Sequence, residues 1–159
     1  MDAGEGAMAS YNDDRARGAD RAATGGGQDA LLLAARLLIG AIFVQSGFGK
    51  LMDLGGFAGS LAGQGLPMPM LLAALGGAVE CFGGLAVVLG AWTRLAAAAV
   101  VLFTIMATLI AHRYWAYPPE AQGMQRIQFM KNLAIIGGFL ALIAAGAGRF
   151  SVDGLMNRR

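Results

Sequence analysis

The sequence predicts an all-α membrane protein, a bundle of four transmembrane helices with both termini cytoplasmic. Three observations carry that expectation. Of its 159 residues, 57% are hydrophobic and 14% charged, where an ordinary soluble domain carries about 25% charge; the mean hydropathy is +0.58. The apolar residues fall in runs close to the ~20 residues that a bilayer crossing needs. Four spans put both ends on one side, and that side collects Arg15, Arg17, Arg21, Arg94, Arg149, Arg158 and Arg159, against Lys50, Arg113, Arg126 and Lys131 on the other. Excess arginine marks the cytoplasmic side. The net charge of +2 comes from these segment ends and forms no basic patch suited to nucleic acid.

Residues 1–28 are rich in Gly, Ala, Asp and Arg and include a Gly25–Gly27 triplet. They hold too little apolar surface to bury, so they are expected to form a disordered cytoplasmic tail. Their many acidic residues and long polar lead do not fit a secretory signal. The membrane domain is expected over residues 29–150, with 151–159 as a second cytoplasmic tail. The first span covers about 30–49. It carries Arg36 two turns inside its start, Gln45, Ser46 and Lys50 toward its end, and glycines seven residues apart at Gly40 and Gly47. Leu51–Pro69 is punctuated by Gly and Pro, and predicts a short interfacial helix near Leu54–Leu61 with a turn at Gly65–Pro67.

The second span, about 71–90, reads LLAALGGAVECFGGLAVVLG. Gly76, Gly83 and Gly90, and beside them Gly77 and Gly84, draw a small-residue seam where another helix can approach closely. Glu80 lies on that seam. The third span, about 91–111, opens with Thr93 and Arg94 and ends at His112. The polar connection 113–128 places Tyr114, Trp115 and Tyr117 at headgroup depth, and Pro118 and Pro119 are expected to stop any helix there. The fourth span, about 129–145, has Lys131 and Asn132 in its first turn and small residues at Gly137, Gly138, Ala141, Ala144 and Ala145.

An intramembrane carboxylate facing lipid is costly, so Glu80 is expected to point inward toward a partner. By depth along the spans, that partner is Arg36, offset by about 6 Å, or else Gln45 and Ser46 through hydrogen bonds. Arg36, Gln45, Glu80 and Arg94 are thus the structural intramembrane polar set. The functional alternative for Glu80 is relay of a proton or capture of a polar headgroup. A second group, Lys50, His112, Lys131 and Asn132, is expected at the opposite surface beside Tyr114 and Trp115. Cations beside aromatics suit a quinone carbonyl, an anionic headgroup or a sulfur oxyanion; the plainer reading is lysines that snorkel beside an interfacial aromatic belt. His112 is the side chain whose ordinary titration range lies nearest neutral pH. Arg94, Arg149 and Asp153 read as topology signal and helix-end hydrogen bonding.

With one cysteine (Cys81) and one histidine, the chain alone cannot build a disulfide, a CxxC pair, a bis-histidine haem site or a His/Cys metal cluster. No catalytic residue or metal ligand set is assigned, and a self-sufficient redox enzyme is disfavoured. No cofactor is intrinsic; a quinone or lipid is the ligand class that Lys50, Glu80, His112, Lys131 and Asn132 would take.

Three stretches together resemble the DoxX family of small four-helix bacterial membrane proteins: ARLLIGAIFVQSGFGKL at Ala35–Leu51, GGAVECFGGLAVVLGAWTRLAA at Gly76–Ala97 and KNLAIIGGFLALIAAGAGRFSVDGL at Lys131–Leu155. Their Arg, Lys, Glu, Thr-Arg, Lys-Asn and Ser-x-Asp positions fall in order. The resemblance implies a bacterial inner membrane location and an accessory or structural subunit of a larger membrane assembly, redox- and quinol-linked. Its partners would be lipids and other membrane subunits, or a second copy of the chain. The alternative is a quinone- or lipid-binding oxidoreductase component acting through Glu80 and the Lys50, His112, Lys131 group. A small transporter or channel is a third reading, weakened by the lack of an inverted repeat.

Overall fold

The computed structural model describes the backbone of residues 3–157, and side chains from residue 25 onward. Helix α1 runs Ala3–Met52, α2 Leu54–Gly63, α3 Pro69–Ala78, α4 Gly84–Leu89, α5 Thr93–Ala111, α6 Pro119–Ala145 and α7 Val152–Met156. A π-turn, Val79–Gly83, joins α3 to α4 without a break, so the two form one span. Among the described residues, four helices are long and apolar enough to cross a membrane: 25–52, 69–89, 93–116 and 119–145. The described residues contain no strand. The all-α, four-span architecture is as the sequence predicts.

Two boundaries differ from expectation. The tail expected to be disordered is helical from Ala3 onward. Once a stable span supplies the costly nucleus, alanine-rich sequence without proline extends it, and even the Gly25–Gly27 triplet is helical with open space around it. The fourth span begins ten residues earlier than 129. Pro118 and Pro119 start this helix instead of stopping one, because Pro119 occupies its first position, where a missing N–H costs nothing and φ is preset. The arginines of the tail and Arg158 and Arg159, used for orientation, have side chains outside the described residues.

Packing follows a seven-residue rhythm on α1. Arg36, Phe43 and Lys50 face inward at that spacing, and so do Gly40 and Gly47. Phe43, Val87, Ala97, Val100, Phe139 and Leu142 form the central core. Within it, the Phe43 and Phe139 rings meet edge to face at 5.3 Å. The glycine seams let α1 and the second span touch backbone to backbone. A Cβ on Gly47 would stand 2.8 Å from Cys81 Cα, and one on Gly84 would stand 2.9 Å from the Val44 nitrogen, both shorter than any side chain tolerates. Cys81 is therefore a half-buried packing residue. Helix α2 lies against α3 through Ala58, Leu61 and Ala73, and Asp53 caps it by accepting from the Gly56 amide at 3.0 Å. The core separates two polar ends.

Candidate functional site

At the end where α1 finishes, Lys50 Nζ donates to Glu80 Oε2 in a close ion pair. The Glu80 side chain is 6% exposed and that of Lys50 28%. Glu80 stands in the π-turn, a local widening of the helical ladder that is frequent at functional sites. The Lys50 ammonium also lies over the Phe57 and Phe103 rings, 5.1 and 5.5 Å from their centroids, a cation–π arrangement that helps hold it inside the bundle. The expected Glu80–Arg36 pair does not form. Arg36 lies two full heptads before Lys50 on the same face of α1 and belongs to the opposite end. Gln45 does not reach Glu80 either: it is exposed on the outer surface of α1.

Beside the ion pair is a cavity of about 170 Å³, and Ser46, Lys50, Glu80, His112, Lys131 and Asn132 all line it. The two groups that sequence reasoning set apart, Glu80 and the Lys50, His112, Lys131, Asn132 set, are thus one site. Its apolar walls include Phe43, Phe103 and Ile135. His112 Nδ1 is 2.8 Å from Gln125 Oε1. An amide oxygen only accepts, so Nδ1 is the donor in this pairing. Asn132 Nδ2 donates to Thr108 Oγ1 at 2.8 Å. Thr108 and Thr104 in turn donate to the carbonyls of Thr104 and Val100, at 2.6 and 2.7 Å. This ladder fixes the rotamer of Asn132. The Thr104/Thr108 pair and Gln125 were missed at the level of sequence, although two threonines four apart in an apolar span are a legible polar stripe. Tyr114 and Trp115, expected beside the ligand group, instead pack on Phe129 with centroids 5.7 and 5.8 Å away and do not line the cavity.

The opposite end is wired through main chain. Arg36 is fully buried and donates through Nη2 to the Phe150 carbonyl. Asp153 accepts from the Trp92 and Thr93 amides at 2.8 and 2.9 Å, capping α5, while its own N–H donates to the Gly90 carbonyl at 2.8 Å. Asp29 Oδ1 accepts from the Arg149 amide at 2.8 Å, joining the start of the first span to the end of the fourth. Gly90 has φ +69° and no room for a Cβ between Arg36 and Ser151. Arg94, expected inside the membrane set, is exposed at the first turn of α5.

A family model described as DoxX matches residues 31–113. Inner membrane protein YphA of Escherichia coli K12 is 37% identical over 129 residues, 81% of this chain and 92% of the relative. The chain belongs to the DoxX family. Inner membrane protein YqjF of the same organism is 34% identical over 132 residues, 83% of this DoxX chain and 96% of the relative. A second model, described as the SURF4 family, matches residues 74–158. The Surfeit locus protein 4 homolog of Schizosaccharomyces pombe is 32% identical over 109 residues, 66% of this chain but 35% of that protein. No solved structure matches significantly. Within the DoxX match lie Arg36, Lys50, Glu80 and His112; Lys131, Asn132 and Asp153 lie only within the SURF4 match.

Chemically, the cavity joins a polar pole to apolar walls. An apolar cavity of about 150 Å³ holds a benzene ring, so this one has room for a single ring or a small headgroup fragment. Lys131 can donate, and the other ring nitrogen of His112 is a second polar contact. Glu80, already neutralised by Lys50, can exchange a proton only if that pair opens.

Proposed function

We propose that this integral membrane protein binds the polar head of a membrane-dissolved small molecule, of quinone or lipid class, and works as a small component of a larger, redox-linked assembly. One observation carries the reading: Lys50, Glu80, His112, Lys131 and Asn132, from four spans, converge on one cavity around a buried ion pair. The apolar walls suit a ring or acyl stem, and the cations and His112 suit carbonyl or headgroup oxygens. The names of the relatives YphA and YqjF support the bacterial inner membrane as its location, and the arginine excess on the side of the two ends favours cytoplasmic termini. On that orientation the cavity opens toward the outer leaflet.

The test is a titration of the purified chain in lipid nanodiscs with a short-chain benzoquinone, followed by calorimetry. Saturable binding is expected, and the separate variants Glu80→Gln and His112→Ala should weaken it while keeping a cooperative melt. Unchanged binding in both would overturn the proposal. The subunit part is read separately: gentle detergent extraction should carry along a stoichiometric membrane partner, and Gln45, a polar side chain exposed on an apolar span, favours a contact of that kind. A chain that extracts alone and retains full activity would overturn it.

A further inference from the structure

A larger cavity, about 920 Å³, lies at the opposite end, where Asp29 of the first span meets the α4–α5 turn and the C-terminal segment. Nothing in the quinone or lipid reading uses it. Its lining includes Arg94 and Arg149. Arg94 makes no ion pair among the described residues, and the Arg149 guanidinium, 67% exposed, touches one carboxylate only loosely, at 3.9 Å from Asp29 Oδ2. The two carboxylates that also line the cavity are already committed. Asp153 is held by the Trp92 and Thr93 amides, and Asp29 by the Arg149 amide. Arg94 and Arg149 therefore face the cavity with both carboxylates already engaged.

Thr93 is 1% exposed and lines this cavity, with its hydroxyl turned to the Asp153 carboxylate. Trp92, Leu95 and Met156 supply apolar lining. Thr93 opens a span, which sets the cavity at headgroup depth, where anionic lipid is the abundant phosphate source and basic pockets between spans capture its head. Guanidinium forks match phosphate oxygens in pairs.

We propose that this cavity holds the phosphate group of an anionic phospholipid, gripped by Arg94 and Arg149. The experiment is native mass spectrometry of the full chain released from nanodiscs of phosphatidylcholine mixed with phosphatidylglycerol. The wild type should retain one phosphatidylglycerol in preference to phosphatidylcholine. Each of Arg94→Gln and Arg149→Gln should weaken that retention about fivefold, and the double variant about twenty-five-fold, as expected for one surface-level arginine contact each. Undiminished retention in the double variant would overturn the site, as would equal retention of the two lipids by the wild type. Salt dependence of wild-type retention gives a reading that needs no variant to fold: weakening with added salt is expected, and salt-insensitive retention overturns the proposal. Inorganic phosphate that displaces the lipid with the same arginine dependence supports the phosphate chemistry and assigns its source to a soluble compound.

Discussion

The two ends of the bundle bury the same kinds of charge and settle them in opposite ways. At the Arg36 end, the cation donates to a carbonyl 114 residues away in sequence and the anion, Asp153, is spent on two backbone amides. Each tie joins one segment of chain to another, so the charges hold the bundle shut. At the Glu80 end the cation and anion meet side chain to side chain, next to a cavity. Lysine and glutamate are both long and can part without moving a helix. The comparison separates a charge cluster that closes a fold from one that is available to a ligand.

The largest effect should come from disturbing the closed end at its tightest point. Gly90→Val forces a left-handed backbone position onto a β-branched residue and drives a side chain into Arg36 and Ser151. A loss of about 4 kcal/mol or more is expected, read as failure to accumulate a folded, monodisperse protein in detergent. The contrasting control is Gly137→Ala, on α6, where a Cβ meets nothing within 4 Å. It should be neutral or raise the melting temperature slightly, since alanine exceeds glycine in helix propensity by about 1 kcal/mol. A folded Gly90→Val protein would show that the closed end is looser than its packing indicates.

Next in size is Glu80→Gln, which leaves the Lys50 ammonium without its counter-charge. Breaking a buried pair costs about 3 kcal/mol, whereas replacing both partners together costs much less. Lys50 is 28% exposed and can turn outward, so about 2 kcal/mol is the expected loss. Lys50→Met combined with Glu80→Gln should recover most of it. A double-mutant cycle by detergent melting measures the coupling. Strict additivity would mean that the pair contributes nothing to the fold, and the contrast between the two ends would then fail on the energetic side.

How far these ends were legible in the sequence follows from which rule governs each. The four spans were readable because length and apolarity alone decide them. The glycine seams at Gly40/Gly47 and Gly76/Gly83/Gly90 were readable because a helix repeats its faces. The partner of Glu80 was not, because depth was counted from assumed span ends, whereas Gly47 meets Cys81 and Arg36 meets Gly90. Arg36, Phe43 and Lys50 share one face of α1, and the choice between the two cations rests on which end of the second span Glu80 turns toward. The π-turn at Val79–Gly83 shifts that register, and no residue pattern announced it. Helix-end hydrogen bonding by Asp153 was legible in the Ser-x-Asp near the C-terminus, but that it caps α5 required knowing that α7 folds back on the α4–α5 turn.

The smallest effect returns to the closed end and concerns pH. Burial by itself raises the Asp153 carboxyl, but the Thr93 amide and hydroxyl, the Trp92 amide and the Arg36 charge outweigh it and hold it below the usual aspartate range. The folded protein therefore binds this proton less tightly than the unfolded chain does. Its stabilisation is complete above the ordinary aspartate range and is lost as pH falls through that range toward the lowered folded value. Asp153→Asn removes this dependence and keeps a hydrogen-bond acceptor for one amide. It should cost about 1 kcal/mol at neutral pH, the usual worth of a helix cap and its favourable dipole, and less in acid. Melting curves of wild type and Asp153→Asn at neutral and acidic pH should converge as the pH is lowered. Parallel curves would mean that the carboxylate charge contributes nothing at this end, and that α5 is held there by the geometry of the turn alone.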